Sequence, residues 1–226
     1  MKKMFTVLLV LCLLFSASFS AFASLETKSE EKEFYASMQS LARKHNFEIV
    51  DFESVPSKNI IHFETIEEVE IFIELITKKQ IFTESIFIEN PVREVLQNNT
   101  LKNSSFTSAS SRIQDDSHVI KWWSPFSGWG QTGWYTWKNI SFEYTYDFLD
   151  GNPRFLSISN ISSYLTGIHM TTWHAKTTDD DIITNINHND TVTFNIKGVY
   201  VLGIVVNGYP IGARANGEWE ASLRLH

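Results

Sequence analysis

Ile140-Ser141-Phe142-Glu143-Tyr144-Thr145-Tyr146-Asp147-Phe148, followed by Leu149-Asp150-Gly151 and then by Phe155-Leu156-Ser157-Ile158-Ser159-Asn160-Ile161, is the stretch that decides the fold. In the first run, apolar and polar side chains alternate at every position, the period of a strand with one buried face. Asp-Gly is a favoured two-residue hairpin turn because both positions tolerate positive φ. The two runs are therefore expected to pair antiparallel.

The same signal continues downstream. Val192, Phe194 and Ile196 alternate with Thr191, Thr193 and Asn195, and Val199 to Val206 is apolar on both faces, as a central strand would be, before a second turn signal at Asn207-Gly208. A third such pair, Asn216-Gly217, precedes a half-buried strand that sends Trp219, Ala221, Leu223 and Leu225 to one side and Glu218, Glu220, Ser222 and Arg224 to the other. Adding Val119 to Trp123, Ile168 to Trp173 and Ile182 to Ile186 gives roughly seven to nine short strands at hairpin spacing, which predicts a mainly β fold with an antiparallel β-sandwich as its carboxy-terminal domain.

Upstream, the pattern changes twice. Residues 97–117 are rich in Ser, Asn and Thr, offer nothing periodic to bury, and read as a flexible linker between a domain at 118–226 and a small α/β region at 24–96. In that region Thr27 and Glu30 have capping-box spacing ahead of Phe34, Met38 and Leu41, predicting a helix to about Arg43. Phe47 to Phe52 and Ile60 to Phe63 read as strands, and Thr65 and Glu68 cap a helix carried by Ile66, Val69, Ile73 and Ile76. Residues 1–23 have the order of a secretory signal: Lys2-Lys3, a short apolar run, and a small-residue ending at Ala21-Phe22-Ala23. Cleavage after Ala23 would remove the single cysteine, Cys12, and leave no transmembrane segment. An exported chain without thiols must be held by its core, which fits a secreted, extracellular bacterial protein.

Loss of Lys2 and Lys3 moves the formal charge from -7 to -9. An acidic chain without clustered Lys and Arg is a poor partner for phosphate backbones, so nucleic acid is not expected to bind. No Gly-x-Ser-x-Gly, His-Glu-x-x-His or phosphate-cradling glycine motif is present, so no catalytic residues and no cofactor are assigned. His169 and His174, five apart, would face opposite sides of a strand and cannot share a metal; Asp179-Asp180-Asp181 lacks the alternating spacing of a calcium loop. Glu218 and Glu220 share one strand face, as an acid and base pair on a glycoside would require, although solvent-facing alternation accounts for them equally well.

What remains is aromatic. Five of the seven tryptophans fall between Trp122 and Trp137, in a segment broken by Gly128, Gly130 and Gly133. Stiff, amphipathic indoles gathered in one segment suit ligand stacking, so Trp122, Trp129, Trp134, Tyr135 and Trp137 are the candidate ligand-binding residues. Of Trp122 and Trp123 one should point inward, and Trp173 and Trp219 should be core. The function expected from these features is a binding or interaction module for a polysaccharide, peptide or cell-surface protein. The alternatives are a membrane-active bacteriocin or toxin component and, with less support, an extracellular hydrolase.

Overall fold

The computed structural model describes residues 29–89, 113–124, 135–176, 182–187 and 189–226. Among the described residues the fold is mainly β, with two α-helices. A helix over residues 29–45 (α1) leads through Asn46, whose φ of 52° ends it, to β1 (Phe47–Val50). Next come β2 (Ile60–Phe63), α2 (Ile66–Thr77) and β3 (Gln80–Ile86). The remaining strands are β4 (Gln114–Trp123), β5 (Thr136–Leu149), β6 (Asn152–Gly167), β7 (Thr172–Ala175), β8 (Ile182–Asn187), β9 (Thr191–Val206) and β10 (Tyr209–Leu225). The capping pattern at Thr65 forms: its hydroxyl accepts from the Glu68 amide, while the Glu68 carboxylate accepts from the Glu64 amide. The proposed cap at Thr27 lies outside the described residues.

Two sheets make a sandwich. β4, β5 and β6 form a three-stranded antiparallel sheet in that order. The second sheet is built on the long β9–β10 hairpin, whose Asn207-Gly208 turn has φ of 51° and 86°, the conformation the sequence predicts there; Asp150-Gly151 likewise closes β5 to β6. Even-numbered residues of β9 and odd-numbered residues of β10 are buried along both strands. At one end they meet the three-stranded sheet, with Phe194 against Phe142 and Trp219 against Trp122. At the turn end they meet the helices: Phe34 of α1 stacks on Tyr209, the Tyr35 hydroxyl donates to the Pro210 carbonyl, and Val69, Phe72, Ile73 and Ile76 of α2 are buried. Ala213 and Ala215 leave room for that approach.

Several expectations need correction. β9 joins the runs at 191–196 and 199–206 into one strand, and β10 runs unbroken through Asn216-Gly217, which reads as a turn. β3 was not anticipated; it lies parallel to the last seven residues of β10. β1 pairs with β10 and β2 with β9, so the amino-terminal α/β region contributes three strands to the sheet of the carboxy-terminal region, and the two share one core. β4 starts at Gln114 rather than near His118. Its polar first residues are held by tyrosines, with the Tyr146 hydroxyl donating to Gln114 and the Tyr144 hydroxyl to Asp116. The rest of the expected linker, residues 97–112, lies outside the described residues, as does the signal segment.

Candidate functional site

Strand alternation divides the tryptophan segment in two. Trp122 points inward and is 5% exposed; its ring stacks on Phe82 of β3 and meets Trp219 edge-on. It is a core residue and has no surface to offer a ligand. Trp123, its neighbour, points outward and is 41% exposed. Trp129 and Trp134 lie outside the described residues.

Trp123 is paired in register with Trp137 of β5, and the two indoles meet edge-to-face at 4.7 Å between centroids. Tyr135, 61% exposed, meets Trp123 edge-on at 5.7 Å. The Lys121 ammonium sits 4.8 Å over the Trp137 ring. These four side chains form an aromatic corner at the end of the three-stranded sheet, which the sequence located in Tyr135 and Trp137 but not in Trp123.

The backbone beneath the corner is tied down. Tyr135 accepts at its carbonyl from the Ile168 amide, Thr136 accepts at its carbonyl from the Ser124 amide, and the Thr136 hydroxyl donates to the Ile168 carbonyl. Gly167 turns the chain there with φ of 92°, and a side chain on it would overlap the Tyr135 carbonyl. Asn139, next in the outward row of β5, donates its amide to the Trp137 and Tyr164 carbonyls and the Thr166 hydroxyl. Rings held this way lose little freedom on binding, because their positions are already fixed.

The outward face continues away from the corner with a different chemistry. Ser141 and Ser162 pair their hydroxyls at 2.7 Å, and Thr145 and Ser157 do the same. Between them the Asn160 amide donates to the Glu143 carboxylate. Asn160 reaches it because a bulge in β6 places it at φ 51°. Beyond, Arg154 holds Asp147 through two hydrogen bonds, which keeps that carboxyl below its ordinary range.

Under the corner, inside the sandwich, lies an unusual group. Lys138, directly opposite Trp122 in the register, is 1% exposed, with its ammonium 5.3 Å from the Trp219 ring. Desolvation pushes its pKa down to about 8. A desolvated cation–π contact offers on the order of 2 kcal/mol, and since the pKa still falls to about 8, the desolvation of the ammonium outweighs it and the net effect at neutral pH is destabilising.

The Glu218 and Glu220 candidate resolves against an acid and base pair. The Lys79 ammonium bonds both Glu218 and Glu220 at 2.7 Å, and with the Asn195 amide it holds the Glu218 carboxyl below its usual range. A carboxyl held low, as Glu218 is, is the reverse of what a general acid needs. One His169 ring nitrogen is engaged with the Thr171 carbonyl, His118 pairs with Glu84 of β3 at 3.3 Å, and Asp179-Asp180-Asp181 lies outside the described residues. One grouping of metal-ligand type that the sequence could not show is His45, Glu70 and Glu74, brought together from α1 and α2. Lys44 already occupies Glu70 at 2.5 Å and helps hold its carboxyl low, so a metal would first have to displace an ammonium. Among the described residues no helix is long and apolar enough to cross a membrane.

No protein-family model, no curated protein and no solved structure matches this chain.

Proposed function

We propose that the chain is an exported binding module that holds its ligand on the aromatic corner of Trp123, Tyr135 and Trp137. The observation that carries this reading is the combination of exposure and restraint: large rings stand at the solvent rim while their backbone is fixed by hydrogen bonds from three segments. Exposed apolar rings carry a hydration cost in the free protein, and a partner that stacks on them removes it. Such rim aromatics, rigid and partly exposed, resemble the anchors that dominate binding energy elsewhere. The clamped state of Glu218 and Glu220 supports binding without hydrolysis.

The membrane-active alternative draws on the same rings, since indole and phenol side chains favour the bilayer interface. The acidic formal charge counts against it. Binding of full-length protein to a glycan array, a peptide library and phosphatidylcholine vesicles, each repeated with Trp137→Ala and Tyr135→Ala, tests the proposal. Loss of binding to a ligand class in both variants, with unchanged melting, supports the corner. Identical binding by wild type and both variants on every surface rejects it.

A further inference from the structure

We infer that the ligand is an extended, uncharged polysaccharide running from the corner along the outward row of β5, an inference that rests on the corner being a binding surface. The row is Trp137, Asn139, Ser141, Glu143 and Thr145, alternate residues of one strand; Asn139 is itself buried and braces the corner, so the surface a ligand meets is Trp137 and then Ser141, Glu143 and Thr145. Eight residue rises at the usual antiparallel spacing make it roughly 27 Å long, enough for several sugar units in line.

The chemistry along the row changes from stacking to hydrogen bonding, as a sugar chain requires. Each paired hydroxyl, Ser141 with Ser162 and Thr145 with Ser157, uses one proton between the two oxygens. The second proton and the remaining lone pairs are left over, so each pair can both donate and accept. Sugar hydroxyls have the same double capacity. The Glu143 carboxylate, steadied by Asn160, accepts from hydroxyl donors, and a carboxylate acceptor makes the stronger kind of hydrogen bond. Val119, exposed and opposite Ser141, offers an apolar spot for a sugar's C–H face.

Charge excludes a polyanion. On this face, among the described residues, the cations are Lys121, engaged over Trp137, and Arg154, held by Asp147, while Asp115 and Glu143 are acidic. An acidic polysaccharide would therefore meet repulsion from Asp115 and Glu143 along the row, with Lys121 at the corner the one cation on this face, among the described residues, that no ion pair holds. A peptide seeks unpaired strand edges, whereas this row lies on the central strand of its sheet, with both edges already hydrogen-bonded.

Calorimetric titration of the full-length protein with cello- and chito-oligosaccharides of two to six units, with polygalacturonate as the charged probe, decides the matter. Affinity should rise about tenfold or more from dimer to hexamer in one uncharged series. Ser141→Ala with Thr145→Ala should weaken the hexamer about fivefold and leave the dimer within about twofold, since those hydroxyls lie beyond the corner. Glu143→Gln, which keeps the shape and removes the charge, should weaken the hexamer similarly. Trp137→Ala should abolish both. Equal dimer and hexamer affinities, no response to the row variants, polygalacturonate binding as tightly as the uncharged chains, or no glycan binding at all would overturn the inference. If in any of these cases Trp137→Ala still removes binding to a peptide, a vesicle or a disaccharide, the corner stands and only the row falls.

Discussion

Gly198 and Gly217 face each other across β9 and β10, and their missing side chains make the bed on which the Trp173 indole lies. Trp173 reaches that bed from β7, stacks on Trp219 at 4.3 Å, contacts Tyr200, and donates its indole N–H to Ser163 of β6. It therefore links the two sheets. Trp219 in turn donates to the Tyr200 hydroxyl within the core. Two strand-interior glycines, which weaken a strand on conformational grounds, are placed where an aromatic ring needs the space.

Gly198→Ala should destabilise the protein by about 1 to 3 kcal/mol, the usual cost of overpacking. An added Cβ would stand 2.6 Å from the His174 carbonyl oxygen, which is backbone and cannot swing away. Gly217→Ala meets the Tyr200 ring at 2.7 Å and should cost a similar amount. Gly151→Ala, with open space around it but φ of 85°, is the control for backbone strain alone. Urea melts of the three variants measure the difference; a Gly198→Ala protein as stable as wild type would mean that Trp173 does not sit on the hairpin.

Removing core and rim indoles should have opposite signatures. Trp219→Ala deletes a fully buried ring that contacts Trp122, Trp173 and Tyr200, and should cost about 3 to 5 kcal/mol. Trp123→Ala removes an outward ring and should cost well under about 1 kcal/mol while weakening ligand binding. Denaturant melts and the binding assays above separate the two effects.

The hairpins were legible because each local signal agreed with the next: strict alternation in Ile140 to Phe148, then Asp-Gly; a doubly apolar run at Val199 to Val206, then Asn-Gly. Asn216-Gly217 carried the same dipeptide signal for a different reason, since Gly217 answers to the Tyr200 and Trp173 rings, which come from other strands. Local sequence cannot show a contact made at that distance along the chain. The shared sheet was hidden for the same reason: β1, β2 and β3 find their partners well over a hundred residues away. At the corner, alternation alone established that one of Trp122 and Trp123 faces out. Which one does follows from the register with β5, where Lys138 and Trp122 face in together.

Lys138 gives a pH signature. Its pKa of about 8 in the folded protein lies below the ordinary lysine value of about 10.4, so between those values the unfolded chain binds more protons than the folded one. Stability should therefore rise as pH increases from about 8 towards 10, and the full penalty, on the order of 3 kcal/mol, should be present below about 8. Above pH 10 the buried hydroxyls of Tyr144, Tyr146 and Tyr200, held above their ordinary value chiefly by desolvation, oppose the trend, because there the folded state retains protons that the unfolded state has lost. Lys138→Met should stabilise the protein at pH 7 and flatten the rise between 8 and 10. A wild-type curve that falls across that window would show that the ammonium is not desolvated.

Cutting the chain between β3 and β4 should not release an independent carboxy-terminal domain, although composition alone suggests that it would. A fragment starting at residue 113 would lose β1 and β3 from β10, and β2 from β9, exposing most of one edge of β10 and the Gly203–Val206 end of β9 together with the inner face that α1 and α2 cover. Unpaired edges of that length invite aggregation. After limited proteolysis within residues 90–112 the two pieces should stay together in gel filtration and separate only in denaturant. Residues 113–226 expressed alone should aggregate or melt far below the intact chain, and co-expression with residues 24–89 should restore a folded complex. A monomeric 113–226 fragment with wild-type melting would mean that the amino-terminal strands add nothing to the sheet they join.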